Sequence, residues 1–204
     1  MRRRIWFVAV VFGVLMITIP RWWLRRLPPP PAVLFDVPEF VLTDQTGHRF
    51  GSEQMRGQVW VVGFVFTRCP SVCPRVSQVM RQVQDDIEKG GLADKVKMLT
   101  ITVDPQYDTP EVLSDYARTL GADAENWRFV TGDKDAIESL VVGGFKLALG
   151  ERQETTPGVF DIAHATRLAL VDQRGGVRAL HHTDDGNRAE FFNHILAVLR
   201  SASE

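Results

Sequence analysis

Cysteine is scarce in this chain of 204 residues: it has two, Cys69 and Cys73. Two cysteines exclude a disulfide framework, a four-cysteine zinc site and an iron–sulfur cluster. Net charge is scarce too. A formal charge of −1 argues against the broad basic surface of a nucleic-acid binder, and no nucleic-acid partner is expected. Neither an internal repeat nor a long low-complexity tract interrupts the chain. What is present, 45% hydrophobic and 24% charged residues, is the composition of one packed globular domain.

The small net charge conceals a split. Residues 1–26 hold six arginines and no acid, so the remainder, with 18 basic and 25 acidic residues, carries a formal −7. Arg2, Arg3 and Arg4 precede an apolar run from Ile5 to Ile19. Fifteen helical residues span only about 22 Å, short of a roughly 30 Å hydrocarbon core, but Pro20 to Leu24 lengthen the segment to about twenty. Arg21 can snorkel, and Trp22 and Trp23 suit a headgroup interface. No small-x-small cleavage site and no lipobox cysteine follows, which favours an uncleaved anchor over a cleaved signal. Residues 1–27 are therefore expected to form a single transmembrane helix with the lipid bilayer as partner. Residues 28–34, with Pro28 to Pro31 in polyproline II, form a stiff linker. Residues 35–204 form the functional domain.

Within that domain strands alternate with helices. Phe40 to Leu42 and Arg49-Phe50 read as a hairpin around the polar turn Asp44 to Gly47. Gln58 to Phe66 and Val96 to Val103 are apolar runs expected of doubly buried strands. Val76, Val79, Met80, Val83 and Ile87 repeat at helical spacing over Val72 to Lys89, and Gly90-Gly91 ends that helix. Thr109-Pro110-Glu111 is an N-cap, a first-turn proline and an acid near the positive helix end. That helix runs to Leu120. Trp127 to Val130 is a short strand, Asp135 to Val142 a helix, and Thr166 to Val171 and Val177 to Leu180 strands around the turn Asp172 to Gly176. A capping box at Asn187 to Glu190 opens the last helix. The fold class expected is α/β: a thioredoxin-like three-layer fold with a mixed central sheet, an N-terminal β-hairpin extension and an insert around Asp133 to Phe160.

Both cysteines lie in Thr67-Arg68-Cys69-Pro70-Ser71-Val72-Cys73-Pro74, between a buried strand and a helix. Pro74 suits a first helical turn, so Cys73 is expected near the positive end of the helix, where thiolate is favoured. A structural disulfide would close about five residues and contribute only about 2 kcal/mol. A dithiol redox couple is a second reading, with three intervening residues instead of the usual two. Metal binding is the third. Thiolates at i and i+4 can converge on one ion, and soft sulfur selects Cu(I) or zinc. Zinc would need more protein ligands than the cysteines supply, whereas low-coordinate copper needs two or three. Among the histidines, His164 directly precedes a strand and is the candidate third ligand. His48 belongs to a polar turn, His194 to the surface or boundary of the last helix, and adjacent His181 and His182 should point to opposite faces.

Three ordered segments carry a family resemblance. They are Gly63 to Pro74 with its C-x-x-x-C-P signature, Val103-Asp104-Pro105-Gln106-Tyr107-Asp108-Thr109-Pro110, and His164 through Gly175. Over roughly Phe35 to Arg200 the chain resembles the Sco/SenC family of thioredoxin-like copper proteins, membrane-tethered assembly factors for cytochrome c oxidase. The resemblance implies one copper ion, Cu(I) or Cu(II), held by Cys69, Cys73 and His164. It implies delivery to, or preparation of, the dinuclear copper site of cytochrome c oxidase subunit II or another copper-accepting protein. The implied location is a bacterial inner membrane, single-pass, with the C-terminal domain on the periplasmic side. The alternative is a thiol–disulfide oxidoreductase using Cys69 and Cys73 on a periplasmic partner. Asp104 and Asp108 serve either as turn and cap residues or as support for the site. The chain departs from the family pattern at Ala163 and Ala165, where Asp and Ser usually flank the histidine, and at Arg68 and Ser71, where His and Asp are common.

Overall fold

A computed structural model of the chain describes residue 13 and residues 29–69, 73–156, 159–164, 167–183 and 188–201, with the backbone alone over 151–156 and 159–164. The strands are β1 (Phe35–Asp36), β2 (Val41–Asp44), β3 (Arg49–Gly51), β4 (Val59–Val65), β5 (Val96–Thr102), β6 (Trp127–Thr131), β7 (Leu149–Thr156), β8 (Val159–His164), β9 (Arg167–Val171) and β10 (Gly176–His182). The helices are α1 (Ser52–Met55), α2 (Cys73–Lys89), α3 (Pro110–Leu120), α4 (Lys134–Glu138) and α5 (Arg188–Ser201), with a π-helical stretch at Ser139–Gly144 continuing α4.

Eight strands form one mixed sheet in the order β1-β10-β9-β4-β5-β6-β2-β3. β4, β5 and β6 are parallel, with Val62 opposite Leu99 and Leu99 opposite Arg128. β9 runs antiparallel to β4, with Val62 opposite Ala169. Every residue of β4 is buried, as its unbroken apolar sequence requires of a strand covered on both faces. Neighbouring residues of β4 show what covers each face. A Cβ on Gly63 would lie 3.3 Å from Met80 Sδ of α2. Phe64 points the other way and meets the Phe145 ring edge-on at 5.0 Å. α2 lies with α3, through Ser77 Oγ and Tyr116 Oη at 2.7 Å, and with α5, through Arg188 and Asp86 at 3.1 Å. The β2–β3 hairpin curls beneath the opposite face. Phe50 touches Trp60 edge-on at 5.6 Å, although three strands separate β3 from β4. The Trp60 indole N–H donates to the Met55 carbonyl at 2.8 Å. The thioredoxin-like α/β expectation and the N-terminal hairpin extension are thus met.

Cap chemistry explains the helix ends. Thr109 accepts from the Val112 N–H at 3.4 Å, Pro110 occupies the first turn, and Gly121 ends α3 at φ 64°, a left-handed value that favours glycine. Three differences from expectation stand out. Gly143-Gly144 does not follow a plain α-helix but closes the π-helical stretch. The 133–160 insert holds a separate β7–β8 hairpin, whose first strand, Leu-Gly-Glu-Arg-Gln-Glu-Thr-Thr, carries no apolar alternation to announce it. The expected transmembrane helix needs correction, and with it the lipid bilayer as partner and the single-pass inner-membrane location. Among the described residues no helix is long and apolar enough to cross a membrane. The physical reason is amphipathicity. Even α2, with 17 residues, buries one stripe (Val76, Met80, Val83, Ile87) and exposes Arg75, Gln78 and Glu88. Apart from residue 13, the segment 1–27 lies outside the residues described. Within the proline-rich 28–34 stretch, the Pro31 carbonyl accepts from Arg178 at 3.0 Å and the Leu34 N–H donates to Val177 at 2.8 Å.

Phe64→Ala empties the space between β4 and Phe145. It should cost about 3–5 kcal/mol, read as a lowered urea midpoint. A loss under about 1 kcal/mol would contradict the packing of both sheet faces.

Candidate metal centre

β4 delivers the chain into a tight turn in which the Cys69 N–H donates to the Phe66 carbonyl at 3.2 Å. The chain then re-emerges as the first turn of α2 at Cys73. The two sulfurs are brought together by backbone hydrogen bonds. The Cys73 N–H donates to Cys69 Sγ at 3.3 Å, and the Phe66 N–H donates to Cys73 Sγ at 3.4 Å. No disulfide joins them. Cys69 is 7% exposed and Cys73 1%, so an incoming ligand meets Cys69 first.

The ionisation expected for Cys73 is reversed. Its hydrogen bond with the Cys69 sulfur, then burial, holds the Cys73 thiol far above the ordinary cysteine range, and the charges of Cys69 and Asp108 push the same way. The Phe66 N–H opposes them but is outweighed. A helix terminus can stabilise one thiolate strongly; here the helix amide of Cys73 is spent on Cys69 Sγ.

The second motif of the sequence, Val103 to Pro110, clamps this turn. The Tyr107 and Asp108 N–H groups both donate to the Asp104 carbonyl, at 3.1 and 2.9 Å. The resulting tight turn aims two carboxylates at the cysteine loop. Asp108 is fully buried. It accepts from the Thr67 N–H at 3.1 Å, from the Thr67 hydroxyl at 2.5 Å and from the Thr102 hydroxyl at 2.5 Å. Asp104 pairs with Arg68 at 3.1 Å, and the Arg68 guanidinium lies over the Tyr107 ring, 3.6 Å from its centroid. Of the two readings of these aspartates, support of the cysteine loop is what they do; the cap belongs to Thr109. Thr67, Thr102 and Tyr107 were not singled out from sequence. The available signal was their position, beside Cys69, at the end of a buried strand and inside the Asp-Pro motif.

His164 is the last residue of β8 and pairs with Leu149 across that hairpin. Three residues later β9 begins, and β9 runs antiparallel to β4. Its start therefore lies at the end of the sheet from which β4 launches the cysteine loop. The His164 side chain is outside the description. Among the described residues no group of three or more His, Cys, Asp or Glu is arranged to hold a metal ion. The other histidines lie elsewhere. His48 Nδ1 meets the Thr46 hydroxyl at 2.8 Å in an exposed turn. His182 is exposed, whereas His181 and His194 are half-buried and meet each other.

Comparison with known proteins finds relatives by both sequence and structure. The family model SCO1/SenC matches residues 35–200. A "SCO1 protein homolog" of Bacillus subtilis is 28% identical over 172 residues, covering 83% of each chain. The crystal structure of a SCO1/SenC family lipoprotein from Bacillus anthracis superposes with a TM-score of 0.72 at 26% identity, covering 80% of this chain and 95% of that one. The structure of Bradyrhizobium japonicum ScoI with copper bound gives a TM-score of 0.62 at 25% identity, covering 81% of this chain and 98% of that one.

Burial raises the Asp108 pKa above its ordinary 3.8, with the negative charge of Asp104 adding to it, against the lowering by its hydrogen bonds. The folded chain therefore holds that proton more tightly than the unfolded chain. The stability this contributes is full below the ordinary carboxylate pKa and is lost as pH rises through the raised folded value. Asp108→Asn should remove this falling component, so the urea-midpoint difference between wild type and variant should change across that window. A difference independent of pH would contradict the assignment.

Proposed function

The chain belongs to the SCO1/SenC family, and from that membership we propose that it is a copper chaperone holding one copper ion through Cys69, Cys73 and His164. The ion is cargo, passed to, or used to prepare, the dinuclear copper site of cytochrome c oxidase subunit II or another copper-accepting protein. The observation that carries the reading is the pair of sulfurs, not joined by a disulfide, held at one helix terminus by the Cys73 N–H to Cys69 Sγ hydrogen bond of 3.3 Å. Soft sulfur donors at this spacing suit Cu(I). With two thiolates and a neutral imidazole, the site carries −1 with Cu(I) and zero with Cu(II), so neither state buries a large charge.

The protonation of Cys73 sets the loading chemistry. A thiol held above its ordinary pKa must release its proton as copper binds, so loading is proton-coupled and favoured as pH rises. Release proceeds by ligand exchange. Thiolates of the acceptor replace Cys69, the more accessible sulfur, and then Cys73, so that no free Cu(I) forms. His164, neutral and flanked by Ala163 and Ala165, is the ligand most easily displaced.

A thiol–disulfide oxidoreductase is the second reading. The same two neighbouring thiols support it, Cys69 7% exposed and Cys73 1% exposed. Cys69 thiolate would attack a partner disulfide, and Cys73 would resolve the mixed disulfide, reducing the partner and oxidising the pair.

Anaerobic Cu(I) titration of the reduced chain against a chromophoric competitor separates the two. One copper per chain is expected. Cys69→Ala or Cys73→Ala should weaken binding by more than the roughly 10–100-fold typical of losing a supporting group, and His164→Ala by less than either. Absence of Cu(I) binding together with rapid reduction of a test disulfide would sink the chaperone and leave the oxidoreductase. A His164→Ala variant that binds as wild type would remove His164 from the ligand set.

A further inference from the structure

The cysteine loop lies in the basic stretch of an acidic domain. The chain after residue 26 carries a formal −7, yet no acid falls between Glu53 and Asp85, a stretch that holds Arg56, Arg68, Arg75 and Arg81. Of these, Arg68 directly precedes Cys69, and its side chain is fixed. The guanidinium pairs with Asp104 at 3.1 Å and lies over the Tyr107 ring, 3.6 Å from the centroid. The two charges of this pair differ in what they show to the outside. The Asp104 side chain is 4% exposed and that of Arg68 29%. A partner arriving at Cys69 therefore meets the cation, with its counter-charge buried behind it. Tyr107, 41% exposed, extends this surface with an aromatic edge. A ring holds a cation through its quadrupole and does not neutralise it.

We propose that Arg68, held on Tyr107, is the docking contact for an anionic acceptor, a protein segment that carries carboxylates beside the thiols that exchange with Cys69. The inference deepens the ligand-exchange reading above, in which Cys69 is the first sulfur replaced. Thiolates and carboxylates are anions, and a domain of −7 repels them. A cation one residue from Cys69 reverses that repulsion at the point of entry, which raises the encounter rate and disfavours neutral or basic partners. The planar guanidinium also matches a carboxylate in shape. The carboxylates that support the loop, Asp104 and Asp108, are buried and are not presented to the partner.

The test uses the reduced, copper-free full chain and two disulfide probes. Dithiobis(nitrobenzoate) is a dianion, and dithiodipyridine is uncharged at neutral pH. Cys69 thiolate attacks either probe, forming a mixed disulfide and releasing one probe thiolate. Cys73 then displaces the second, so the cysteine pair is oxidised to a disulfide and the probe is reduced to two thiols. The phase lost in Cys69→Ser is the one read, and the ratio of its rates for the two probes cancels any change in Cys69 ionisation. Arg68→Gln should lower the dianion-to-neutral ratio at least about threefold, as expected of one unit charge a few ångström away in a solvated site. Tyr107→Leu, which frees the guanidinium, should lower it in the same direction. Added salt should lower the wild-type ratio towards that of Arg68→Gln. An unchanged ratio in either folded variant, or a wild-type ratio that rises with salt, overturns the docking role. Far-UV circular dichroism identifies a variant that has not folded, and the salt dependence of the wild type then decides. The probes need no copper, so failure of the chaperone reading would appear separately, as absence of Cu(I) binding.

Discussion

The buried carboxylate of Asp108 is the constraint on which the cysteine site depends. It has no exposure to solvent, and its hydrogen bonds all reach elements on which the site is built. Two go to Thr67, two residues before Cys69, and one goes to Thr102, the last residue of β5. A carboxylate in such a place is costly unless each lone pair is used. Here the cost fixes the backbone that aims Cys69. The neighbouring ion pair, Arg68 with Asp104, repeats the arrangement one residue further along the loop. Together they hold the Thr67 to Cys69 turn that follows β4.

These contacts follow from strand direction. β4 and β5 are parallel and adjacent, so their C-terminal ends lie side by side. The Phe66 to Cys69 turn and the Asp104 to Asp108 turn leave the sheet there together. Residues 41 apart in sequence, Thr67 and Asp108, thereby come into contact. Open α/β sheets gather their sites at this end of the strands. The antiparallel β9 completes the pattern, because it enters the sheet from the same end and follows the residue proposed as third ligand.

Much of this was legible in the sequence where one local rule was enough. The apolar runs marked β4 and β5, the Thr109-Pro110 pair marked the start of α3, and the C-x-x-x-C spacing marked the turn into α2. Where the outcome depended on a partner distant in sequence, the signal was lost. The ionisation of Cys73 looked like a helix-terminus effect, but it is governed by its bond to Cys69 and by burial. Asp104 and Asp108 looked like turn formers, because nothing local shows that their side chains reach Arg68 and Thr67. The β7–β8 hairpin is polar along its first strand, so it has no periodicity to read. The expectation of a spanning helix rested on the Ile5 to Ile19 apolar run and its arginine and tryptophan flanks, whereas the described helices are amphipathic and cover the sheet.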